Sequence, residues 1–431
     1  MKSLFILTLF DYQYFKNNRI HHIVNQFQNR FDSLTLMYKG HISYEMSFLT
    51  QVKYFLSFSV TSSSSDRIKM IRVNPLLNHV EALGVALTQQ QENHQQTRLF
   101  HWIIWKVLGF LGLLSEISII GCFLVAYLFK APRRFDVFIG QGPIEVFVGY
   151  ILQRLGRVRL LVYDDMDYAP GYSPHNIRRV FLKYLEQYLI KKSDLVISIG
   201  TFLAETRKKE TGREVIIIPN GVDYELLQRA QEKIPHAPTL IYMGFVEEWS
   251  GLDMVLETVS KLVKDFPGIR LFILGHTTPQ YLRKLERLAE EFAIKESFFY
   301  KGNKTHVELI NYLKEADIGL AMFKPIDLRK YAFSLKVIEY MAGGLPVVAT
   351  SGTQSAYVVE QYHCGMAVPY EVNTLYQALF SMLSDEKLYQ HLSENAKKFS
   401  RDYRWQDLMD RAYNAIQSSY KTKYTKTATY G

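Results

Sequence analysis

Cysteine is almost absent: Cys122 and Cys364 are the only two, and they stand far apart. That excludes a disulfide framework and a cysteine-based metal cluster, and makes a reducing compartment the expectation. Carboxylates at metal-ligand spacing are missing too. The run Asp164-Asp165-Met166-Asp167 stands alone, so no metal and no cofactor is expected. A basic stretch interleaved with aromatics is lacking, although the net charge is +9. Scattered cations set nucleic acid aside and leave anionic lipid or phosphorylated substrates as partners. No small-residue cleavage site follows the apolar start Leu4 to Phe10, and Asp11 comes at once. This start reads as a buried strand of a parallel sheet, not as a secretory leader.

What is present is a globular chain of 431 residues, 48% apolar and 22% charged, long enough for two cores. In its second half, apolar runs of strand length (Leu240–Met243, Leu271–Leu274, Phe298–Tyr300, Ile318–Met322, Pro346–Thr350) alternate with helical spacing (Leu252–Val263, Pro279–Phe292, His306–Leu313, Leu335–Met341). That alternation predicts an α/β domain on a doubly wound parallel sheet. Gly244, Gly275 and Gly302 follow three of the strands, at the ends where such sheets bind ligands. The first half alternates more loosely. Strands are expected at Leu4–Phe10, Val137–Gly140, Arg159–Tyr163, Leu195–Ile199 and Val215–Ile218, with helices at Arg19–Phe27, Ile144–Gly156 and Ile177–Lys191. From Leu34 to Thr97 no period is clear, and Ser62–Ser65 and Gln89–Gln96 read as loops or insertions. The expected division is residues 1–225, residues 239–402, and a final helix with a basic tail at 403–431. A polar linker is expected over Asp223–Pro238, and fraying after Ser419.

The segment Phe333 to Thr350, FSLKVIEYMAGGLPVVAT, reads as loop, helix, Gly-Gly turn and buried strand. Ser334 suits an N-cap, and a helix starting there directs free N–H groups outward, where they attract phosphate. Lys336 adds positive charge in the first turn, and Glu339 can accept bonds from a ribose diol. Taken alone, the pattern also fits a solvated Glu339 and a surface Lys336.

This run is similar to the donor-binding signature of family-4 retaining glycosyltransferases. So are Pro219-Asn220-Gly221-Val222-Asp223, then Ile241-Tyr242-Met243-Gly244 with Ser250-Gly251-Leu252-Asp253, and Tyr403-Arg404-Trp405. Order and spacing hold from Tyr163 to Trp405. The resemblance implies a GT-B fold of two Rossmann-like domains and a nucleotide diphosphate sugar donor. By the same resemblance, Glu339 would hold the ribose, Ser334, Leu335 and Lys336 the diphosphate, and Lys301-Gly302-Asn303 would face the base. Gly244 would end the strand beneath, and no metal is normally required in that family.

Three positions depart from the pattern. Tyr331 stands where a first glutamate is usual, and Phe245 and Ser250 stand where an Arg and a Lys usually clamp the diphosphate. Glu247 and Glu248 lie between the last two. Lys324, Arg329 and Lys330 are the candidates to supply the charge instead, with Arg329 taken as a donor contact. In the first domain, Asp164 and Asp165 end a strand, where they are catalytic candidates together with Lys336; the other reading is a loop cap. Asn18 and Arg19 are the acceptor candidates. Gly140-Gln141-Gly142-Pro143 lacks the third glycine of a dinucleotide loop.

Val107 to Phe129 is long enough to span a bilayer, but Glu116 interrupts it, and a single span would split one sheet across the membrane. The segment is expected either to pack as a core helix or to dip into one leaflet and return; with Trp102, Trp105, Lys106, Lys130, Arg133 and Arg134 around it, attachment of segment 103–130 to an anionic membrane surface is the favoured reading. The expected activity is transfer of a hexose-type sugar, with retention, to a lipid-linked or polysaccharide acceptor. The expected location is the cytoplasmic face of the membrane, peripheral or monotopic. Two alternatives remain: a catalytically degenerate GT-B partner subunit, and a nucleotide-sugar epimerase of the same fold.

Overall fold

A computed structural model describes residues 1–9, 19–39, 58–62, 67–73, 116–172 and 176–428. The chain divides into two compact units, residues 1–218 with 409–431, and residues 219–408.

The first unit is built on β1 (Ser3–Thr8), β2 (Ser33–Lys39), β3 (Phe58–Ser62), β4 (Ile68–Val73), β5 (Phe135–Gly140), β6 (Val158–Asp165), β7 (Leu195–Ser198) and β8 (Ile216–Ile217). The sheet order is β3-β4-β2-β1-β5-β6-β7-β8. All neighbours are parallel except β3, which pairs antiparallel with β4. In β1 the five residues from Leu4 to Thr8 are all buried, as in a strand covered on both faces. The helix Arg19–Phe27 starts and ends where its spacing predicts. Strands β2, β3 and β4 lie in the stretch whose sequence shows no clear period, and Ser62 closes β3. Gln89–Gln96, Asn18 and residues 107–115 lie outside the described residues. The last helix, Trp405–Ala428, runs well past Ser419. Its basic end is not a loose tail, because Lys423 donates to Asp194 at 2.7 Å and Tyr420 to Asp136 at 3.2 Å.

The second unit carries β9 (Thr239–Met243), β10 (Arg270–Leu274), β11 (Phe298–Gly302), β12 (Ile318–Ala321), β13 (Val347–Thr350) and β14 (Gly365–Val368), all parallel. Their order is β11-β10-β9-β12-β13-β14. From β9 the chain builds outward to β10 and β11, then returns to place β12 on the other side. The switch point, the crevice where such sheets bind ligands, therefore lies beyond the carboxyl ends of β9 and β12. Residues 223–238 are no free linker. Tyr224, Leu227 and Ala230 are buried in this unit, and Lys233 donates to the carbonyls of Leu313 and Ala316. The motifs around Gly221 and Trp405 meet there: a Cβ on Gly221 would fall 2.6 Å from the Trp405 ring, and Val222 N–H donates to the Tyr403 carbonyl at 2.7 Å.

Candidate functional site

At the carboxyl end of β9 the backbone turns through Gly244, at φ 120°. Gly275 does the same after β10, at φ 140°, and a Cβ there would lie 1.7 Å from the Gly244 carbonyl oxygen. Only glycine permits this pair of turns. The space above Gly244 is taken by Lys336, whose ammonium would stand 2.9 Å from a Cβ at that position.

Lys336 is the second residue of the helix Leu335–Ala342. Its Nζ lies 3.8 Å from the centroid of the Tyr242 ring and 4.9 Å from that of Phe323. It is buried and has no hydrogen-bond partner. Burial holds the Lys336 amine well below its ordinary pKa, and Arg329 lowers it further, while Glu339 opposes both. A buried cation with nothing to bond is costly. Here it sits at the switch point and in the first turn of a helix, where the N–H groups are free and the dipole is positive. Ser334 holds the N-cap position, but its hydroxyl makes no cap bond. Leu335 beside it is exposed.

Around this ammonium the other charges are arranged in pairs. The Arg329 guanidinium stacks on Trp249, 3.5 Å from the ring centroid. Trp249 in turn donates to Glu247 at 2.7 Å. Glu248 is held by Lys284 at 2.7 Å and by Lys324 at 3.6 Å, and Lys324 also pairs with Asp253 at 2.9 Å. The two acids that lie between the expected cation positions, Glu247 and Glu248, are therefore engaged with partners of their own. Lys324 is committed to Asp253 and Glu248, which corrects the expectation that it supplies charge to the site. Ser250 is fully buried, and Phe245 is exposed.

Glu339 lies three residues after Lys336, on the same helix face. Its Oε1 is 3.2 Å from Nε2 of His306. His306 opens the helix His306–Lys314, whose start is fixed by a capping box of Thr305 and Glu308. The hydrogen bond to the Glu339 carboxylate raises the His306 pKa above its ordinary value, and burial works against it. Nothing in the sequence singles out His306 or Trp249 as part of this cluster, since their neighbours come from other elements. Gly302 and Asn303 lie at the end of β11, whereas the Lys301 ammonium is spread over Phe299 and Phe272, at 5.1 and 5.8 Å.

In the first unit, Arg19 and Asp164 face each other. Arg19 Nε and Nη2 reach the Asp164 carboxylate at 2.8 to 3.1 Å, and Nη1 donates to the Ile218 carbonyl at 3.0 Å. Gln141 Nε2 adds a bond to Asp164 at 3.2 Å. Asp165, the adjacent residue, points into the core and pairs with Arg207 at 2.8 Å. The same guanidinium holds Glu186, also at 2.8 Å. The expectation of Asp165 as a catalytic group meets this geometry: the side chain is 1% exposed and its charge is already answered. Among the described residues, no three His, Cys, Asp or Glu side chains converge to hold a metal ion.

Residues 224–399 match the sequence model of the family described as glycosyl transferases group 1. A putative colanic acid biosynthesis glycosyltransferase of Escherichia coli is 27% identical over 64% of this chain and 68% of its own length. Among solved structures, the sucrose-phosphate synthase of Thermosynechococcus elongatus superposes with a TM-score of 0.70 at 15% identity, covering 98% of this chain and all of that one. The Anabaena protein HepE in complex with UDP superposes with a TM-score of 0.65 at 14% identity, covering 97% of this chain and all of that one.

Proposed function

This chain is a glycosyltransferase of the GT-B fold, and from that premise we propose that it moves a hexose-type sugar from a nucleotide diphosphate carrier to a lipid-linked or polysaccharide acceptor, with retention. The observation that carries the donor half is the unpartnered ammonium of Lys336 beside Gly244. A diphosphate over the start of the Leu335–Ala342 helix meets that ammonium and the free N–H groups of the first turn. Ser334 and Leu335 contribute to this end, Arg329 adds charge from the side, and Glu339 receives the ribose hydroxyls three residues on. Gly302 and Asn303 lie toward the base.

The chemistry asked of these groups is electrostatic. Negative charge grows on the leaving diphosphate as the sugar departs. An amine already held in place, and protonated as the diphosphate binds, stabilises it without reorganisation. The UDP complex of HepE supports a uridine nucleotide as the first donor to test. The likeness to a glycosyltransferase of colanic acid biosynthesis supports a saccharide-polymer acceptor. A lipid-linked acceptor puts the reaction at the cytoplasmic face of a membrane, with the enzyme on its surface. Among the described residues, no helix is long and apolar enough to cross. The available ammonium of Lys336 also argues against a degenerate partner subunit, which would not need to keep an unpaired charge buried.

The test is a thermal-shift and calorimetric titration with UDP, GDP and ADP, followed by nucleoside diphosphate release from the matching sugar donors. One nucleotide is expected to stabilise the protein and its donor to be hydrolysed slowly. No stabilisation by any of the three at about 1 mM, the upper end of ordinary substrate constants, overturns the reading.

A further inference from the structure

Two helices of the first unit leave apolar side chains in solvent: residues 116–130 and Asn176–Lys192. On the first, Leu128 and Phe129 are 74% and 76% exposed, and Ile117 and Val125 are exposed above them. On the second, Ile177, Val180, Tyr184 and Tyr188 are exposed. At 100° per residue these four fall within an arc of about 80°, one continuous stripe along the helix. The Arg178–Glu116 ion pair ties the two helices together.

The placement of charge on them is one-sided. Residues 116–130 contain a single acid, Glu116, and Asn176–Lys192 a single acid, Glu186. Both are buried and paired, with Arg178 and with Arg207. The cations go the other way. Lys191 and Lys192 close the second helix in solvent, Lys130 closes the first, and Arg133 and Arg134 follow it. The outer face of these helices thus offers apolar and tyrosine side chains bordered by lysine and arginine, with no exposed carboxylate on either.

We propose that this face binds the surface of an anionic bilayer, with the Ile177–Tyr188 stripe and the Leu128–Phe129 end lying in the interface. Tyrosine and phenylalanine suit the headgroup level, where an apolar ring meets water, and lysines flanking an apolar stripe bind acidic headgroups. A second copy of this chain would carry the same cations on the same patch, so like charge would oppose a self-contact there. The inference rests on the proposed lipid-linked acceptor, gives it a surface on which to meet the enzyme, and extends that surface from the end of segment 103–130 onto a second helix, Asn176–Lys192.

The experiment uses the full chain and two sets of vesicles, phosphatidylcholine alone and phosphatidylcholine with phosphatidylglycerol, in a flotation assay. Nucleotide-induced thermal shift is measured on the same preparations. The protein is expected to float with the anionic vesicles, and binding is expected to fall as salt is raised. V180E/Y184E and, separately, L128E/F129E are expected to lower binding about tenfold, since each places acid in the interface. Their nucleotide response should not change. Wild-type protein that ignores anionic vesicles, or both variants floating like wild type, overturns the inference. So does a wild-type dimer in light scattering that both variants turn into monomer, because the face is then a self-contact. Loss of nucleotide response in the wild type instead sinks the donor-site reading and leaves the flotation result standing by itself.

Discussion

Arg19 and Asp164, which lie 145 positions apart, form a two-point ion pair with side chains 1% and 2% exposed. Read along the chain, one is an acceptor candidate and the other a catalytic candidate. In the fold each is the other's counter-ion, and they join the end of β6 to the start of the first helix. Asp164→Asn removes the carboxylate that faces this buried guanidinium at two points. The expected cost is about 3 kcal/mol of stability. Urea unfolding measures it, and nucleotide affinity is expected to stay as it was. A normal midpoint with lost transferase activity would instead make Asp164 a catalytic group.

Lys336→Met should separate binding from stability. The thioether keeps the stem's packing and removes a buried amine that has no hydrogen-bond partner. Stability is expected to rise by about 1 kcal/mol, because an uncompensated polar group leaves the interior. Nucleoside diphosphate affinity is expected to drop about ten- to hundredfold, the worth of a hydrogen bond between charged groups. Melting temperature and calorimetry give both numbers from one protein.

The same amine makes donor binding depend on pH. Burial depresses its pKa, and a bound diphosphate raises it. Between those two values the complex carries a proton that the free enzyme lacks. Binding therefore takes up protons, and affinity falls as pH rises through that window. Titration in buffers of different ionisation enthalpy reads the proton count, which is expected to vanish in Lys336→Met.

His306 and Glu339 form a second titratable element of the site, 3.2 Å apart. The folded pKa of His306 is raised by Glu339, so its contribution to stability is complete below the ordinary histidine value and is lost as pH rises through the folded one. Glu339→Gln is expected to bring the His306 titration, followed by the imidazole resonances, back toward 6.5, its ordinary value. If Glu339 receives the ribose, the same variant also narrows the preference for a ribonucleotide over its 2′-deoxy form.

Glu145 gives the first unit a pH dependence of its own. Its Oε1 accepts the Leu9 N–H at 3.0 Å, and burial pushes its carboxyl up to about 7. A carboxyl raised on folding stabilises most below its ordinary 4.5, and the gain disappears as pH climbs through about 7. Glu145→Gln is expected to flatten the decline in stability over that range, a difference of up to about 3 kcal/mol. Denaturation curves at several pH values check it.

Much of the second unit was legible in its sequence. Its strands are short apolar runs, its helices keep a 3.6-residue period, and Gly244 and Gly275 sit at turns that only glycine can make. The Leu335–Ala342 helix and its Lys336 and Glu339 could be picked out because a helix start, a cation and a carboxylate lie within six residues. The stretch from Leu34 to Thr97 was not legible. Strand β2 pairs with β1 and β4, both more than twenty residues away, and β3 meets β4 antiparallel across a five-residue connection that begins in the serine run, so no steady alternation of strand and helix announces them.

What the chain determined by itself was local: burial of whole strands, helix starts, glycine turns, and the order in which strands and helices alternate. These depend on neighbours within a few residues, and apolar periodicity records them directly. The tertiary structure decided which charges are satisfied. Arg19 closes on Asp164 and Arg207 on Asp165 and Glu186, while Lys336 alone of this set stands against two aromatic rings with no acceptor. No sequence pattern separates a paired cation from an available one, because electrostatic energy depends on distance in space and on the exclusion of water, and both are set only when distant elements pack together.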